Sequence, residues 1–522
     1  MTPAPTHSQT PGHQVRQALW SVLVVVTVVL PWINPFSSGP RANTIPLLVS
    51  GFCALALVVG YAMLQRGAER NPCQPTVLFV TWLLAALLSS AMGLLQYFGL
   101  ADTLSPWVNL TTVGSAFGNL RQRNQFASLT SIGLVSVLYL AGNFNAAANR
   151  HQGAGAQLHQ TIRWGLILAT LALLATANAA SASRTGALQW LMLAALCWLT
   201  PLRTHRMIAS AALFLYTVAV VLLPALLELT TGLDPSGLIN RLRESAGCES
   251  RWILWANVIE LIAQKPWFGW GWGELKFAHF IHPYAGDRFC DILDNAHNLP
   301  LQLAVELGLP LATAIVAGVL WWVWHMRPWQ ETDASRQAAW AVLAVIAIHS
   351  LVEYPLWYGP FQMAVGLCLW LLWPNTGHAR LRNQSTMTMA TLGVGAGLLT
   401  LAFLIYTAWD YTRVSQLYLT KAQRLAAYRE DTLAKARPSV LFAHEVQFAE
   451  LTTFALNVDS APRQYTLAGQ LLHFSPEPTV LQTLLESAHL LGVTDPSLHT
   501  IDQQFKLAYP KAYEQWMLKI EP

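Results

Sequence analysis

Long apolar runs, separated by short polar segments, dominate the chain. A helix that crosses a bilayer needs about 20 mostly apolar residues, and the pattern predicts eleven such spans. They cover residues 17–34, 45–64, 75–99, 125–142, 163–179, 186–200, 207–228, 298–325, 337–351, 359–374 and 386–409. The pattern therefore predicts an all-α polytopic membrane protein.

Two long polar segments divide this scaffold into four predicted regions. Residues 1–228 form an N-terminal transmembrane region of seven spans, and residues 298–409 form a second one of four spans. Residues 229–297 form a large loop between them, and residues 410–522 form a C-terminal domain. The domain has helical periodicity interrupted by prolines, which predicts about five short helices.

Composition supports the membrane assignment. Only 11% of the 522 residues are charged and 54% are hydrophobic, whereas soluble domains have about 25% charged residues. The net charge of +4 is small, so a nucleic-acid partner is not expected. The first apolar run lacks a small-residue cleavage site and is interpreted as an uncleaved span.

The arginines in the short loops predict the orientation. With a cytoplasmic N-terminus, each short inner loop carries a pair of arginines, as the positive-inside rule requires. The pairs are Arg66 and Arg70, Arg150 and Arg163, Arg203 and Arg206, Arg327 and Arg336, and Arg380 and Arg382. The outer segments are then 35–44, 100–124, 180–185, 229–297, 352–358 and the C-terminal domain.

Arginines on the outer face oppose this trend and therefore suggest anion binding. Arg121 and Arg123, with Asn124, lie at the entrance to the fourth span. Arg184 lies between two apolar helices. Guanidinium groups offer planar, bidentate donors to phosphate. The alternatives are snorkelling onto lipid headgroups for the first two and an ordinary loop position for Arg184.

The large loop carries a third arginine site. Arg251 begins a predicted amphipathic helix, which can lie in the membrane interface. Its predicted apolar face comprises Trp252, Trp255, Val258, Ile259 and Ile262. The Trp- and Gly-rich run 267–273 follows, and we interpret it as an interfacial anchor.

A histidine and an acidic, aromatic segment complete the candidate site. His297 and Asn298 directly precede the eighth span, and an unperturbed histidine suits proton transfer near neutral pH. Glu353, Tyr354 and Trp357 meet the outer face between the ninth and tenth spans, where they suit contact with a sugar or a lipid headgroup. The alternatives are a structural histidine and an aromatic belt.

Cysteines add one expectation for the outer face. Cys248 and Cys290 both lie in the large loop, and an oxidising compartment would allow a disulfide between them. It would close a loop of about 40 residues and add roughly 3–4 kcal/mol. Two unpaired thiols remain the alternative. No cysteine spacing resembles a zinc site, and no metal or cofactor is expected.

In order along the chain, these motifs resemble the O-antigen ligase and O-antigen polymerase superfamily, and most closely its PglL-type protein O-oligosaccharyltransferases. The resemblance implies a GT-C-like fold in the bacterial inner membrane, with loop 229–297, the C-terminal domain and the active site in the periplasm. It also implies transfer of an oligosaccharide from undecaprenyl diphosphate to a hydroxyl of an exported protein such as type IV pilin. His297, Arg251 and Arg184 would be catalytic.

Further roles follow from the same resemblance. It implies substrate binding by Arg121 and Arg123, and the sequence adds Asn124, Asn298, Glu353, Tyr354 and Trp357 as substrate-binding candidates. Membrane lipids are expected partners. The alternatives are a ligase that transfers the glycan to lipid A-core, a polymerase that joins repeat units, and a transporter of the lipid-linked glycan.

Overall fold

The structure, a computed structural model, describes residues 11–64, 75–148, 156–233, 247–373 and 386–520. All regular secondary structure in these ranges is helical. Some residues that the sequence analysis named lie outside the described ranges: Arg66, Arg70, Arg150, Arg380 and Arg382.

The N-terminal region is built from seven helices. They are α1 (Pro11–Ile33), α2 (Thr44–Leu64), α3 (Pro75–Tyr97), α4 (Arg123–Ala148), α5 (Ala156–Ala180), α6 (Arg184–Leu199) and α7 (Arg203–Thr231). Helix α3 packs against α1 and α4, and α5 packs against α7, so one continuous apolar core runs through the region.

The rest of the chain begins with the loop helices α8 (Arg251–Gln264) and α9 (Leu275–Ile281). A second group of apolar helices follows: α10 (Leu299–Leu307), α11 (Leu309–Met326), α12 (Ala334–Ser350), α13 (Gly359–Leu372) and α14 (Thr386–Ser415). The C-terminal region holds α15 (Thr432–Ala436), α16 (Ala443–Thr453), α17 (Ala461–Leu471), α18 (Pro478–Leu491), α19 (Pro496–Ala508) and α20 (Pro510–Ile520).

Among the described residues, eight helices are long and apolar enough to cross a membrane. The chain is therefore an all-helical, multi-pass membrane protein. The other three predicted spans, 186–200, 337–351 and 359–374, form the shorter helices α6, α12 and α13 of 16, 17 and 14 residues. At 1.5 Å per residue they are about 21–26 Å long, which is shorter than a hydrocarbon layer of about 30 Å. The number of spans, eleven, stays a prediction.

The predicted eighth span, 298–325, is not one helix. It breaks at Gly308, which has a φ of 84° and separates the short α10 from the long α11. The Trp- and Gly-rich run occupies the break, because Leu309 N–H donates to Pro266 O at 2.7 Å. Gly269 and Gly308 let the two backbones meet, since a Cβ on Gly308 would lie 2.3 Å from Trp267 O.

Helix α4 is the central helix of the bundle, and almost all of its apolar stretch between Arg123 and Gly142 is buried. Buried polar groups in such a position need partners. Ser131 donates to Gln189 Oε1 at 2.9 Å, and Gln189 Nε2 donates to Ser128 Oγ at 2.7 Å. Ser128 in turn lies 2.9 Å from Nδ1 of His349. This network ties α4, α6 and α12 together directly beneath the segment that carries Glu353.

The apolar face of α8 differs from the prediction. Val258 and Ile262, two members of the predicted face, are buried against protein, and Leu254 and Leu261 share that face. Trp252 and Ile259, however, are 79% and 56% exposed. The helix thus has two apolar faces, one packed on α10 and the loop core and one outward. Hydrophobic periodicity does not distinguish a face that meets protein from one that meets lipid.

The C-terminal helices and the large loop share a core. Phe280 of α9 is buried among Leu467, Phe505 and Trp516. Beside this core, Glu274 accepts a hydrogen bond from Nδ1 of His473 at 2.7 Å. This region holds six described α-helices, α15–α20, where the sequence predicts about five.

Contacts join all the predicted outer segments into one surface. Arg41 pairs with Glu445 of the C-terminal region. Arg121 donates to Pro35 O at 3.0 Å, and Ser183 donates to Asn124 Oδ1 at 2.7 Å. Loop 229–297 reaches both the C-terminal region and segment 352–358. Segments assigned to one side by their charges therefore meet in space.

Replacement of Gly308 by alanine should destabilise the protein. The new Cβ would require a disfavoured positive φ and would strike the Trp267 carbonyl, at a cost of roughly 1–3 kcal/mol. Gly318→Ala is the matched control, because Gly318 lies in α11 with nothing within 4 Å of its Cβ position. Thermal unfolding in detergent should show a lower midpoint for Gly308→Ala only. Equal midpoints for both variants would contradict the packing at the break.

Candidate active site

Glu353 is the centre of the candidate site. Its Oε1 accepts hydrogen bonds from Nδ1 of His297 and from Nη2 of Arg251. Its Oε2 accepts one from Nε2 of Gln122 at 2.9 Å. Three segments far apart in sequence therefore converge on one carboxylate.

Local backbone features position the two main partners. Arg251 is the first residue of α8, which Ser250 caps by accepting the Trp252 N–H at 3.2 Å. His297 has a φ of 49°, a left-handed conformation that is costly for a residue with a Cβ. Its N–H donates to Asn295 Oδ1 at 2.8 Å, which holds this turn.

Exposure increases outward from the carboxylate. The side chain of Glu353 is 5% exposed, that of His297 17%, and that of Arg251 42%. Burial alone would raise the pKa of the Glu353 carboxyl. The hydrogen bond from His297 and the charges of His297 and Arg251 outweigh burial, so the pKa of Glu353 lies below its ordinary value. Glu353 is thus held as a carboxylate at neutral pH.

One ring nitrogen of His297, Nδ1, is engaged by Glu353. Since an ionised carboxylate can only accept, Nδ1 carries the proton and donates to Glu353. No other hydrogen bond of the ring is found within the described ranges of the chain. Tyr354 packs edge-on against it, with ring centroids 4.9 Å apart. The ring is therefore oriented from two sides, with Nε2 as its remaining polar atom.

Another histidine of the loop, His279, has a structural role and differs from His297 in its hydrogen bonds. It is buried, and it bonds Tyr284 Oη at 2.8 Å and Phe289 O at 3.1 Å. Burial, reinforced by the charge of Arg288, lowers its pKa to about 3. Both of its ring nitrogens are thus occupied, unlike those of His297.

Gln122 is a site residue that the sequence analysis missed. Its side-chain Oε1 accepts the Gln125 N–H at 2.6 Å, at the start of α4, while its side-chain Nε2 donates to Glu353. It lies between Arg121 and Arg123, which the sequence offers as candidates because they are charged. A neutral amide gives no sequence signal that separates it from an ordinary helix-end residue.

Arg121 and Arg123 form hydrogen bonds to residues outside the Glu353 cluster. Arg121 Nη2 donates to Pro35 O and Asn109 Oδ1 at 3.0 and 3.1 Å. Arg123 Nη2 donates to Ser115 Oγ at 2.7 Å. Both therefore hold the outer loop 100–124 in place.

Asn298 and Trp357, two of the other predicted residues, support the site's backbone. Asn298 caps α10 by accepting the Leu301 N–H at 3.0 Å and donates to Leu351 O at 2.9 Å. It thereby ties the turn of His297 to the segment of Glu353. The Trp357 ring packs edge-on against Tyr354, with centroids 6.4 Å apart.

Arg184 lies at the N-terminus of α6, with an exposed side chain. The preceding Ser183 caps this helix by accepting the Gly186 N–H at 3.0 Å and also donates to Asn124. A Cβ on Gly186 would lie 2.5 Å from Asn178 Oδ1, so only glycine lets α6 approach α5 here. The start of α6 is therefore fixed to α4 at Asn124, which lies two residues after Gln122 in the chain.

Cys248 and Cys290 are joined by a disulfide in the structure. It links the turn before α8 to the segment before His297, so it braces the two sides of the loop that deliver Arg251 and His297. No group of three or more His, Cys, Asp or Glu suited to hold a metal occurs in the described part of the chain.

The arrangement has the elements of acid–base chemistry beside positive charge. A buried carboxylate that holds one ring nitrogen orients an imidazole so that the other ring nitrogen can accept a proton. Arg251 offers its remaining donors to an anion at the same position. The site therefore suits a reaction in which a hydroxyl is deprotonated near a departing anionic group.

Comparison with known families matches most of the chain in three parts. Residues 337–520 match the family described as virulence factor membrane-bound polymerase, C-terminal. Residues 169–316 match O-antigen ligase, and residues 116–141 match protein glycosylation ligase. The last match contains the stretch from Arg121 to Asn124. These matches support a multi-pass bacterial membrane enzyme of the glycosyltransferase type.

A curated relative is similar over most of the chain. The chain is 26% identical over 420 residues to the general O-oligosaccharyltransferase of Acinetobacter baylyi, covering 78% of this chain and 69% of the relative. Together with the family matches, this confirms the predicted resemblance to the O-antigen ligase and polymerase superfamily, and within it to the PglL-type enzymes that glycosylate proteins.

The lowered pKa of Glu353 predicts how stability depends on pH. A group whose folded pKa is depressed stabilises the fold above its unfolded pKa, about 4.3 for Glu, and this contribution is lost as pH falls through the folded value. Glu353→Gln should therefore lower the thermal midpoint at pH 7. The gap to the unsubstituted protein should close on acidification below about pH 4.

Glu260→Gln is the control for this titration, because Glu260 pairs with His282 at 2.7 Å and is 42% exposed. Its effect on the midpoint should be smaller than that of Glu353→Gln, because the Glu260 carboxylate keeps contact with water. A gap between Glu353→Gln and the unsubstituted protein that stayed constant from pH 7 to pH 3 would show that the carboxylate is not stabilised by its partners.

Proposed function

We propose that the protein transfers an oligosaccharide en bloc from undecaprenyl diphosphate to Ser or Thr hydroxyls of exported proteins such as pilin, on the periplasmic face of the inner membrane. The observation that carries the proposal is the convergence of His297 and Arg251 on the buried carboxylate of Glu353. The similarity to a general O-oligosaccharyltransferase supports the same reaction class.

His297 acts as the base in this proposal. Glu353 holds Nδ1, so Nε2 takes the proton from the acceptor hydroxyl as the oxygen attacks C1 of the first sugar. General-base catalysis of this kind contributes about 10²–10⁴-fold to a rate. Glu353 stays ionised and stabilises the imidazolium that forms, and Gln122 fixes its second oxygen.

The arginines act on the leaving group. As the bond from C1 to the diphosphate oxygen breaks, negative charge grows on the diphosphate, and a fixed positive charge stabilises the transition state more than the ground state. Arg251 supplies this charge at the cluster. Arg184 supplies it from the N-terminus of α6, where the backbone N–H groups also favour anions.

Two kinds of acceptor agree with the similarities of the chain. A protein acceptor agrees with the oligosaccharyltransferase relative and with the helical C-terminal region, which contacts the loop through α9. Transfer to lipid A-core is the second candidate, because residues 169–316 match the O-antigen ligase family. Both reactions use the same donor and the same cluster.

Transfer can be tested in a heterologous bacterium that supplies a lipid-linked glycan and a candidate pilin. Intact-mass spectrometry of the pilin should show added glycan mass. His297→Ala and Glu353→Gln should each reduce the glycosylated fraction by at least about a hundredfold, since each removes the prepared base. Arg251→Gln should do the same by removing the charge opposite the leaving group.

His282→Gln is the matched control, because His282 lies in the same loop and pairs with Glu260 outside the cluster. It should leave glycosylation close to normal. Glycan found on lipid A-core and none on the pilin would replace the protein acceptor with the lipid one. Near-normal transfer by His297→Ala, with the protein inserted in the membrane, would reject the proposed base.

A further inference from the structure

Trp255 and Gln302 contact the backbone directly before His297, and neither has a part in the chemistry proposed above. Trp255 Nε1 donates to Ala296 O at 3.1 Å, and Gln302 Oε1 accepts the Ala296 N–H at 2.6 Å. Ala296 itself is fully buried. Because a buried backbone group needs a hydrogen-bond partner, these two side chains satisfy both polar groups of this residue.

The peptide unit that joins Ala296 to His297 is held at both of its polar groups. Its carbonyl accepts from Trp255, and its N–H donates to Asn295 Oδ1 at 2.8 Å. A peptide unit is planar, so bonds at both groups fix the plane. The φ of His297 is the next rotation along the chain, and its value of 49° lies in the left-handed region. A strained conformation of this kind persists only where the surroundings hold it.

Helix α8 also holds the same loop segment further from His297. Asn257 donates to Asp287 O at 2.9 Å and accepts the Phe289 N–H at 2.8 Å. These contacts act well before the histidine in the chain, whereas Trp255 acts at the adjacent residue. Trp255 therefore sets the position of the histidine turn on α8.

Trp255 also links the proposed base to the arginine of the site. Arg251 and Trp255 lie on successive turns of α8, a spacing that places them on one side of the helix. Arg251 and His297 both bond Glu353. The contacts thus close a ring that runs from α8 through Trp255 to His297 and returns through Glu353. Within this ring, the tryptophan holds the base by a bond for which an anionic leaving group does not compete.

Gln302 supports the same turn from α10. Its side chain is 2% exposed, and Glu306 follows it one turn later on the same side of the helix. Glu306 Oε1 accepts the Gly273 N–H at 2.9 Å. The side of α10 that holds the histidine turn therefore also holds the Trp- and Gly-rich run.

We propose that Trp255 and Gln302 are positioning residues for the base. They hold the two peptide units before His297, so that its ring stays in place while Arg251 turns a donor toward the leaving group. The inference rests on the proposed function for the roles of His297 and Arg251. Trp255 and Gln302 touch no reacting atom and act only through the backbone of the turn.

Hydrogen exchange of the full-length protein in detergent tests this hold without any transfer reaction. Trp255→Phe keeps an aromatic ring and removes the indole N–H. Peptides that cover residues 295–297 should exchange about tenfold faster in this variant, because local opening of the turn becomes easier. Gln302→Met, which removes the acceptor of the Ala296 N–H, should have the same effect.

Trp270→Phe is the matched control. Trp270 lies in the same loop, and its Nε1 donates to Leu261 O at 2.9 Å, so the variant loses the same kind of bond away from the histidine turn. Both tryptophan variants should lower the thermal midpoint by similar amounts, because each leaves one carbonyl without its side-chain donor. Exchange at 295–297 should stay normal in Trp270→Phe.

Transfer kinetics with a lipid-linked glycan and a pilin acceptor separates positioning from stability. Trp255→Phe should lower kcat about tenfold, because a displaced base slows the chemical step. The KM for the acceptor should stay nearly unchanged, since Trp255 makes no contact with substrate in this proposal. Trp270→Phe should keep kcat close to normal.

Two outcomes would overturn the positioning role. One is an equal loss of kcat in Trp255→Phe and Trp270→Phe, which would make Trp255 a structural residue only. The other is unchanged exchange at 295–297 in both Trp255→Phe and Gln302→Met. Failure of the proposed function is distinguishable from these results, because it would appear as near-normal transfer by His297→Ala while the exchange at 295–297 still responds to Trp255→Phe.

Discussion

A buried carboxylate is stable only when positive charge or hydrogen-bond donors surround it, and this requirement organises the outer face of the protein. Glu353 is 5% exposed, and it is satisfied by His297, Arg251 and Gln122. Those partners come from the loop before α10, the start of α8 and the entrance to α4. The need to neutralise one carboxylate therefore fixes the mutual positions of three segments that the chain supplies separately.

The scaffold makes this convergence possible. Helix α4 is almost completely buried over Arg123–Gly142, and Gln122 directly precedes it. The network of Ser128, Gln189 and His349 fixes α12 just below Glu353. On the loop side, the break at Gly308 lets the Trp- and Gly-rich run dock between α10 and α11. Packing of the helices below Glu353 and packing of the loop around Gly308 thus limit how far His297 and Arg251 can move from the carboxylate.

Much of this architecture follows from local sequence. Apolar length predicts the spans, and the arginine pairs assign to one face the segments that meet in the structure. His297, Arg251 and Glu353 stand out because charge is expensive near a membrane. Their mutual contacts, however, depend on residues far apart in the chain, and Gln122 has no charge to reveal it. The break at Gly308 was missed because its apolar neighbours continue the hydrophobic pattern across it.

The central claim is that His297 and Glu353 act as one unit. A double-mutant cycle on the rate of glycan transfer tests it most directly, with His297→Gln, Glu353→Gln and the double variant measured at equal amounts of inserted protein. Residues that act as a unit are strongly non-additive. The account predicts that the double variant is no slower than the slower single variant. Rate losses that multiply in the double variant would contradict it.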